Sequence, residues 1–338
     1  MPPPYSRWRE RGKGVRRLLL PGDARRKAPA MERLDGGSAV PSHLAGGIVA
    51  LGNFDGFHLG HQAVVGRAVA RAHAAGRPAL VATFDPHPVR HFRPDTPPFR
   101  LTTLDQRQRL FAAAGVDAMV VFQFDAALAA LSAERFIAER LHANLAAAGV
   151  VTGEDFTFGH RKSGDVHLLA ERGRAHGFVA ETVGAVTLDG EPVSSTRIRT
   201  LLRAGDPRGA ARLLTRPFAI EGIVQHGDKL GRTIGYPTAN VDMGKYLRPA
   251  YGIYAVTARL GDGRVLKGAA NLGIRPTFDP PKELLEPYFF DFSGDLYGQP
   301  IEVALIDYLR PEAKFDSLDA LTAQMERDCA RARALLDA

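Results

Sequence analysis

The sequence predicts two domains in succession: an α/β domain built on a parallel sheet, then an antiparallel barrel or sandwich that ends in one helix. Three observations carry this reading. Between Gly47 and about Leu202, short apolar runs alternate with segments of helical spacing. After about Thr215, strand-like runs follow one another with only Gly, Pro and Asp turns between them. From Ser317 the chain closes on one amphipathic segment. The length agrees, because 338 residues suit two ordinary domains and 45% hydrophobic content supplies two cores.

The elements follow in order. Gly47 to Leu51 reads as a buried strand. Leu59 to Ala75 reads as a helix, with Val64, Val65, Ala68, Val69 and Ala72 on one face. Ala79 to Phe84 is a strand, Gln106 to Ala114 a helix, Ala118 to Phe124 a strand. Ser132 suits the N-cap of a helix carrying Phe136, Ile137, Leu141 and Leu145, and Val150 to Thr152 returns to the sheet. Such alternation implies a parallel sheet covered on both faces, with ligands at the carboxyl ends of its strands. Thr200 to Leu214 reads as a helical bridge broken at Gly205-Asp206-Pro207. Phe218–Gln225, Gly252–Leu260, Arg264–Ala270, Pro287–Phe292 and Ile301–Leu309 read as strands, and the last helix carries a stripe of Leu318, Leu321, Met325 and Leu335. The expected division is a disordered extension over 1–46, domains over 47–202 and 216–338, and a linker over 203–215.

Charge and cysteine content narrow the function classes. Residues 1–30 hold nine Arg/Lys and two acids, an excess equal to the whole net charge of +7. The body is therefore balanced, which argues against a nucleic-acid partner. The basic segment lacks apolar periodicity and reads as a dispensable disordered extension or as an upstream mis-called start, with translation then beginning at Met31; an import leader or an anionic-surface arm is the rival reading. No apolar run approaches a membrane span. A single cysteine, Cys329, excludes an intrachain disulfide and fits the cytoplasm.

Chemistry concentrates in two places. Leu51-Gly52-Asn53-Phe54-Asp55-Gly56-Phe57-His58-Leu59-Gly60-His61 lies where a strand gives way to a helix. Glycines permit a tight turn, a helix N-terminus offers free N–H groups to an anion, and His58 and His61 share the face of the first turn. Two imidazole donors there suit charge developing on a phosphate. A polar turn with incidental histidines is the plain alternative. A zinc site is disfavoured by the three-residue spacing and the lack of a nearby cysteine. The second place is Gly227-Asp228-Lys229-Leu230-Gly231-Arg232-Thr233-Ile234-Gly235-Tyr236-Pro237-Thr238-Ala239-Asn240, a Gly-rich basic loop without the Gly-Lys-Ser/Thr of a P-loop. Its amides can cradle phosphates, while Thr238 and Asn240 place two neutral oxygens on one side of an extended segment, a donor set Mg²⁺ accepts. A simple hairpin loop is the alternative.

With Phe84-Asp85-Pro86-His87-Pro88, Gly153-Glu154-Asp155-Phe156-Thr157-Phe158-Gly159 and Ser194-Ser195-Thr196-Arg197-Ile198-Arg199, the first string resembles the prokaryotic FAD synthetase branch of the nucleotidyltransferases. The second string closely resembles the flavokinase signature, as do Gly252-Ile253-Tyr254, Asn271 through Phe278, Glu286 through Tyr297-Gly298, and Leu309-Arg310-Pro311 with Lys314-Phe315. Together the resemblances cover about residues 47–338. They imply a bifunctional riboflavin kinase/FAD synthetase: a Rossmann-like nucleotidyltransferase domain, then a six-stranded antiparallel barrel with a C-terminal helix. They imply that Gly52, Phe54, Asp55, His58, His61, Asp155, Ser195, Thr196 and Arg199 meet the adenylylating ATP. They imply that Gly227, Lys229, Gly231, Arg232, Gly235 and Pro237 meet the ATP of the kinase, that Arg275 and Arg310 meet the flavin, that Thr238 and Asn240 bind Mg²⁺, and that Glu286 is the general base. Riboflavin, FMN and ATP are the implied partners. A one-activity enzyme would lack the His58/His61 pair or Glu286, and both are present. A flavin sensor binding nucleic acid would need a helix-turn-helix or a basic folded domain, and the sequence suggests neither.

Overall fold

The computed structural model describes residues 31–226, 236–275 and 282–337. The first sheet comprises β1 (Glu32–Asp35), β2 (Ile48–Leu51), β3 (Ala79–Asp85), β4 (Ala118–Gln123), β5 (Gly149–Gly153) and β6 (Val179–Val183). All its pairings are parallel, in the order β1-β4-β3-β2-β5-β6. The chain runs outward from β2 through β3 and β4, then returns to the other side of β2 at β5. The sheet thus changes direction between β2 and β5, where a crevice opens at the strands' carboxyl ends. Apolar clusters cover both faces, one around Val49, Leu80, Val120 and Phe136, the other around Val65, Val69, Phe111 and Val151. This explains why these strands read as continuous apolar runs.

Helices α1 (Leu59–Ala75), α2 (Pro88–Phe92), α3 (Leu104–Ala113), α4 (Ala126–Ala130), α5 (Ala133–Arg135, continued by a π-helix Phe136–Asn144), α6 (Val166–Ala175) and α7 (Ser195–Arg203) complete the domain, with a small antiparallel pair, β7 (Thr187–Leu188) and β8 (Glu191–Pro192), just before α7. Ser132 caps α5 as expected, its hydroxyl accepting from the Arg135 amide at 3.2 Å. One expectation is corrected. Residues 31–46 are ordered: Glu32, Arg33, Leu34 and Asp35 pair with Ala118 through Val121, and Asn144 donates to the Gly36 carbonyl at 3.2 Å. Backbone pairing at the sheet edge holds this segment together with scattered apolar contacts from Met31, Leu34, Val40 and Leu44, whose spacing follows no helical or strand period. Residues 1–30 lie outside the described residues.

The bridge folds as α7 and α8 (Pro207–Leu214), with Asp206 capping α8 through the Gly209 amide. Ala210, Leu213 and Leu214 are buried in the same apolar cluster as the barrel interior, and α7 adds Ile198 and Leu202. Burying each large side chain contributes about 1.5–3 kcal/mol, so the two domains share a core rather than hang on a linker. The second sheet is antiparallel, ordered β10-β13-β12-β11-β14-β9, from β9 (Phe218–Ile223), β10 (Val241–Asp242), β11 (Gly252–Leu260), β12 (Val265–Arg275), β13 (Lys282–Phe289) and β14 (Pro300–Arg310). A bridge between Gln225 and Asn240 brings its two edges together into a nearly closed barrel. Helix α9 (Leu318–Asp337) packs on the outside through Cys329, Ala332, Leu335 and Leu336. Leu318 of the predicted stripe is 58% exposed, because only the later turns of α9 rest on the barrel.

Candidate active sites

The first candidate site lies at the crevice beside β2. His58 caps α1: its Nδ1 accepts from the His61 amide at 3.4 Å, and its ring stacks on that of His61 with centroids 3.6 Å apart. The turn that delivers it is held against its own preferences. Phe54 and Phe57 sit at φ 49° and 44°, conformations that cost about 1–3 kcal/mol each unless the surroundings enforce them. Gly56 (φ 90°) could not be otherwise, since a Cβ there would come within 2.9 Å of Leu101. Burial lowers the His58 pKa to about 4, with Arg199 and Arg216 adding to the shift against the opposing Asp55; burial and neighbouring cations push His61 well below the usual histidine range. Both rings are therefore neutral near pH 7 and offer N–H donors without bringing a charge of their own.

Asp55, only 2% exposed, organises the wall of this crevice. Its carboxylate accepts from the amides of Leu101 (3.0 Å) and Thr102 (3.1 Å) and pairs with Arg199 at 2.6 Å. Arg199 also donates to the Phe99 carbonyl, and Ser195 donates to the Asp55 carbonyl at 2.8 Å. The start of α7 is thereby tied to the His58 turn. The structure turns two of the sequence-predicted side chains inward: Asp55 as described, and Phe54 against His61 and Phe111. Gly52 donates its amide to Ala82 in the sheet. Thr196 is exposed on α7 and Asp155 is exposed just after β5, across the crevice from the turn after β2.

Sequence reasoning missed Arg107. It is 1% exposed on α3, and one guanidinium nitrogen donates to the Asn53 carbonyl (2.9 Å) and to Thr83 (3.0 Å). Its Nε and Nη2, with Asn53 Oδ1 and His61 Nδ1, have no hydrogen-bond partner among the described residues. Burial lowers its pKa to about 10, so it stays a cation beneath the histidine turn. Its spacing from Phe111, one helical turn on along the same buried face, was the available signal. His87, also lowered to about 4 by burial, packs edge-on against Phe99 on the same side.

The second candidate site is written in strand register. Thr238 bridges to Tyr288, and Val241 pairs with Leu285, which sets Asn240 opposite Glu286. Glu286 pairs with Asn271, Asn271 with Ile253, and Ile253 with Arg310. Residues directly opposite on neighbouring strands share a face. Asn240, Glu286, Asn271, Ile253 and Arg310 thus form one row across the barrel's outer surface, on the side α9 covers. Asn240 is buried, Glu286 and Thr238 are half-buried, and Pro237 is exposed. Arg310 is committed to α9: its guanidinium meets Asp328, itself 6% exposed, at 2.7–3.0 Å, donates to the Pro311 carbonyl and lies over Phe315. Gly227, Lys229, Gly231, Arg232 and Gly235 fall outside the described residues, as does the side chain of Arg275.

Family models divide at the same place as the two sites. A FAD synthetase model matches residues 40–197, and a riboflavin kinase model matches residues 214–336. The chain is 38% identical over 294 residues to the bifunctional riboflavin kinase/FMN adenylyltransferase of Haemophilus influenzae, covering 87% of this chain and 96% of that protein. It belongs to that family. The Escherichia coli K12 relative is 40% identical (85% of this chain, 92% of its own length), and the Pseudomonas fluorescens relative 41% (87% and 94%). A crystal structure from Streptococcus pneumoniae, described as a macrolide-efflux protein, superposes with a TM-score of 0.81 at 30% identity, over 90% of this chain and 99% of its own. That description stays with the other protein; here, no helix among the described residues is long and apolar enough to cross a membrane. The chain is thus a riboflavin kinase and an FMN adenylyltransferase, forming FMN from riboflavin and FAD from FMN with ATP as donor.

Proposed function

We propose that the two activities divide between the two sites described. In adenylyl transfer, an FMN phosphate oxygen attacks the α-phosphorus of ATP and diphosphate leaves. His58 and His61 donate to the oxygens on which charge builds, with Ser195, Thr196 and Arg199 closing from α7 and Asp155 from the far side of the crevice. Asp55 and Arg107 act behind them as positioning groups. The observation that supports this most is the neutral, stacked histidine pair at the switch point of a parallel sheet, backed by buried cations.

In the kinase step, Glu286 takes the proton of the riboflavin hydroxyl as its oxygen attacks the γ-phosphorus and ADP departs. The loop over 227–235 and Pro237 would hold ATP, with Arg275 beside the flavin. Arg310 would meet the flavin at the end of the same row, with Asp328 of α9 fixing its guanidinium. Thr238 and the buried Asn240, beside a carboxylate, offer the neutral oxygens that would hold Mg²⁺. Bound there, the ion would supply charge neutralisation for the transferring phosphoryl group. Placement in the cytoplasm accords with the single unpaired Cys329 and with ATP as substrate.

The adenylylation assignment is tested by His58→Ala with His61→Ala. FAD formation from supplied FMN should drop about 10²-fold or more while riboflavin phosphorylation continues. Equal loss of both activities in a folded variant contradicts it.

A further inference from the structure

The junction between the domains touches the histidine turn directly. Arg216 follows α8 and precedes β9, on the kinase side of the boundary. Its Nη2 donates to the Gly56 carbonyl at 2.7 Å, and its Nη1 to the carbonyls of Leu214 (3.0 Å) and Phe57 (3.4 Å). Gln62 on α1 closes the same knot from the other side, donating to the Phe57 carbonyl (2.9 Å), the Leu214 carbonyl (3.3 Å) and the Thr215 hydroxyl (2.9 Å). Gly56 and Phe57 immediately precede His58, and both have positive φ. A fork that holds two successive carbonyls fixes the direction in which the chain enters α1, and with it the two imidazoles.

We propose that Arg216 is a positioning residue for FMN adenylylation, supplied by the first residues of the kinase domain. The inference rests on His58 and His61 being the adenylylation donors. It gives the fused architecture a chemical reason: the adenylylating turn takes its final alignment from the segment that joins the domains. Arg216 also lines an interdomain cavity of about 290 Å³ with Leu214, Phe218, Arg109 and Glu302. Truncating it therefore enlarges an existing space instead of opening a hole in a packed core.

Arg216→Ala in the full chain should lower kcat/KM for FAD formation from FMN by about 10- to 100-fold, the scale of a small misplacement of catalytic groups. Riboflavin phosphorylation should stay within about twofold, since Arg216 lies off the Glu286 row. Arg216→Lys keeps the charge but not the fork. It should show an intermediate loss, and it serves where the alanine variant is unstable. Added methylguanidinium should restore part of the adenylylation lost in Arg216→Ala, an effect a purely structural role would not give. Adenylylation within twofold of the parent in a folded variant, or both activities falling together, overturns the proposal. The His58→Ala/His61→Ala variant run in parallel separates the failures: if it is impaired and Arg216→Ala is not, only this inference falls, whereas an active histidine variant removes the site reading beneath it.

Discussion

The two candidate sites are built by different means. On the proposed assignment, the adenylylation site centres on a short turn, Asn53 through His61, whose residues are neighbours in the chain, mostly buried, and braced by Arg107, Arg199 and Arg216. The proposed kinase site is a row of residues from four strands and the segment before β10, spread over Asn240, Glu286, Asn271, Ile253 and Arg310 and aligned by register. Local geometry fixes the first; sheet pairing and the clasp to α9 fix the second. Damage to the first should therefore act through the turn and the side chains that brace it, while the second should be sensitive to anything that shifts a strand or releases the helix.

The largest expected effect breaks the comparison at its chemical centre. Glu286→Gln keeps size and removes the base, so riboflavin phosphorylation should fall about 10²–10⁴-fold while supplied FMN is still converted to FAD. Normal phosphorylation by this variant, measured by initial rates, would show that the row is not the kinase centre.

The next effect probes the clasp. Asp328→Asn leaves Arg310 without its anion in a largely buried setting, which costs about 3 kcal/mol. Thermal unfolding should shift down and phosphorylation should weaken, whereas adenylylation at a permissive temperature should not. A Tm unchanged within a degree would show that α9 is held by its apolar face alone.

A comparable effect distinguishes the buried turn by pH. The folded pKa of His58, about 4, lies below the unfolded value of 6.5, so the unfolded chain binds the proton first as pH falls. Stability from this group is complete above pH 6.5 and is lost progressively down to about pH 4, to roughly 3 kcal/mol. His58→Asn should flatten that part of a Tm-against-pH curve. An equally steep curve in the variant would place the acid sensitivity elsewhere.

The smallest effect concerns the metal. Thr238→Ala should raise the Mg²⁺ concentration needed for half-maximal phosphorylation several-fold and leave that of adenylylation unchanged. Identical titrations for both steps would count against Thr238 as a ligand.

The same contrast explains what the sequence disclosed. The turn was legible because its residues are contiguous and its glycines, histidines and flanking strand and helix each leave a local mark. Strand β11 was legible to its end residues, Gly252 and Leu260, since its buried side chains fill the barrel. The elements that escaped are those with little buried apolar surface: β1, held by edge pairing; α6, which buries only Leu169 and Gly173; and β6, where Val179 is 52% exposed. Asn271 and Ile253 fell within recognised strings, but their alignment with Glu286 comes from register, which a single sequence does not state. Arg107 and Arg216 escaped because a lone arginine ordinarily belongs to a solvated surface, and only the fold reveals that one is buried and that both grip backbone carbonyls.

The central claim is that one chain carries two separable sites linked by FMN. It is tested most directly by separating flavins chromatographically after incubating riboflavin, ATP and Mg²⁺ with two variants, alone and mixed. His58→Ala/His61→Ala should stop at FMN, and Glu286→Gln should make little of either product. Their mixture should restore FAD, because FMN released from the first variant reaches the intact adenylylation site of the second. A mixture that still yields no FAD, although each folded variant keeps its remaining activity, would contradict the account.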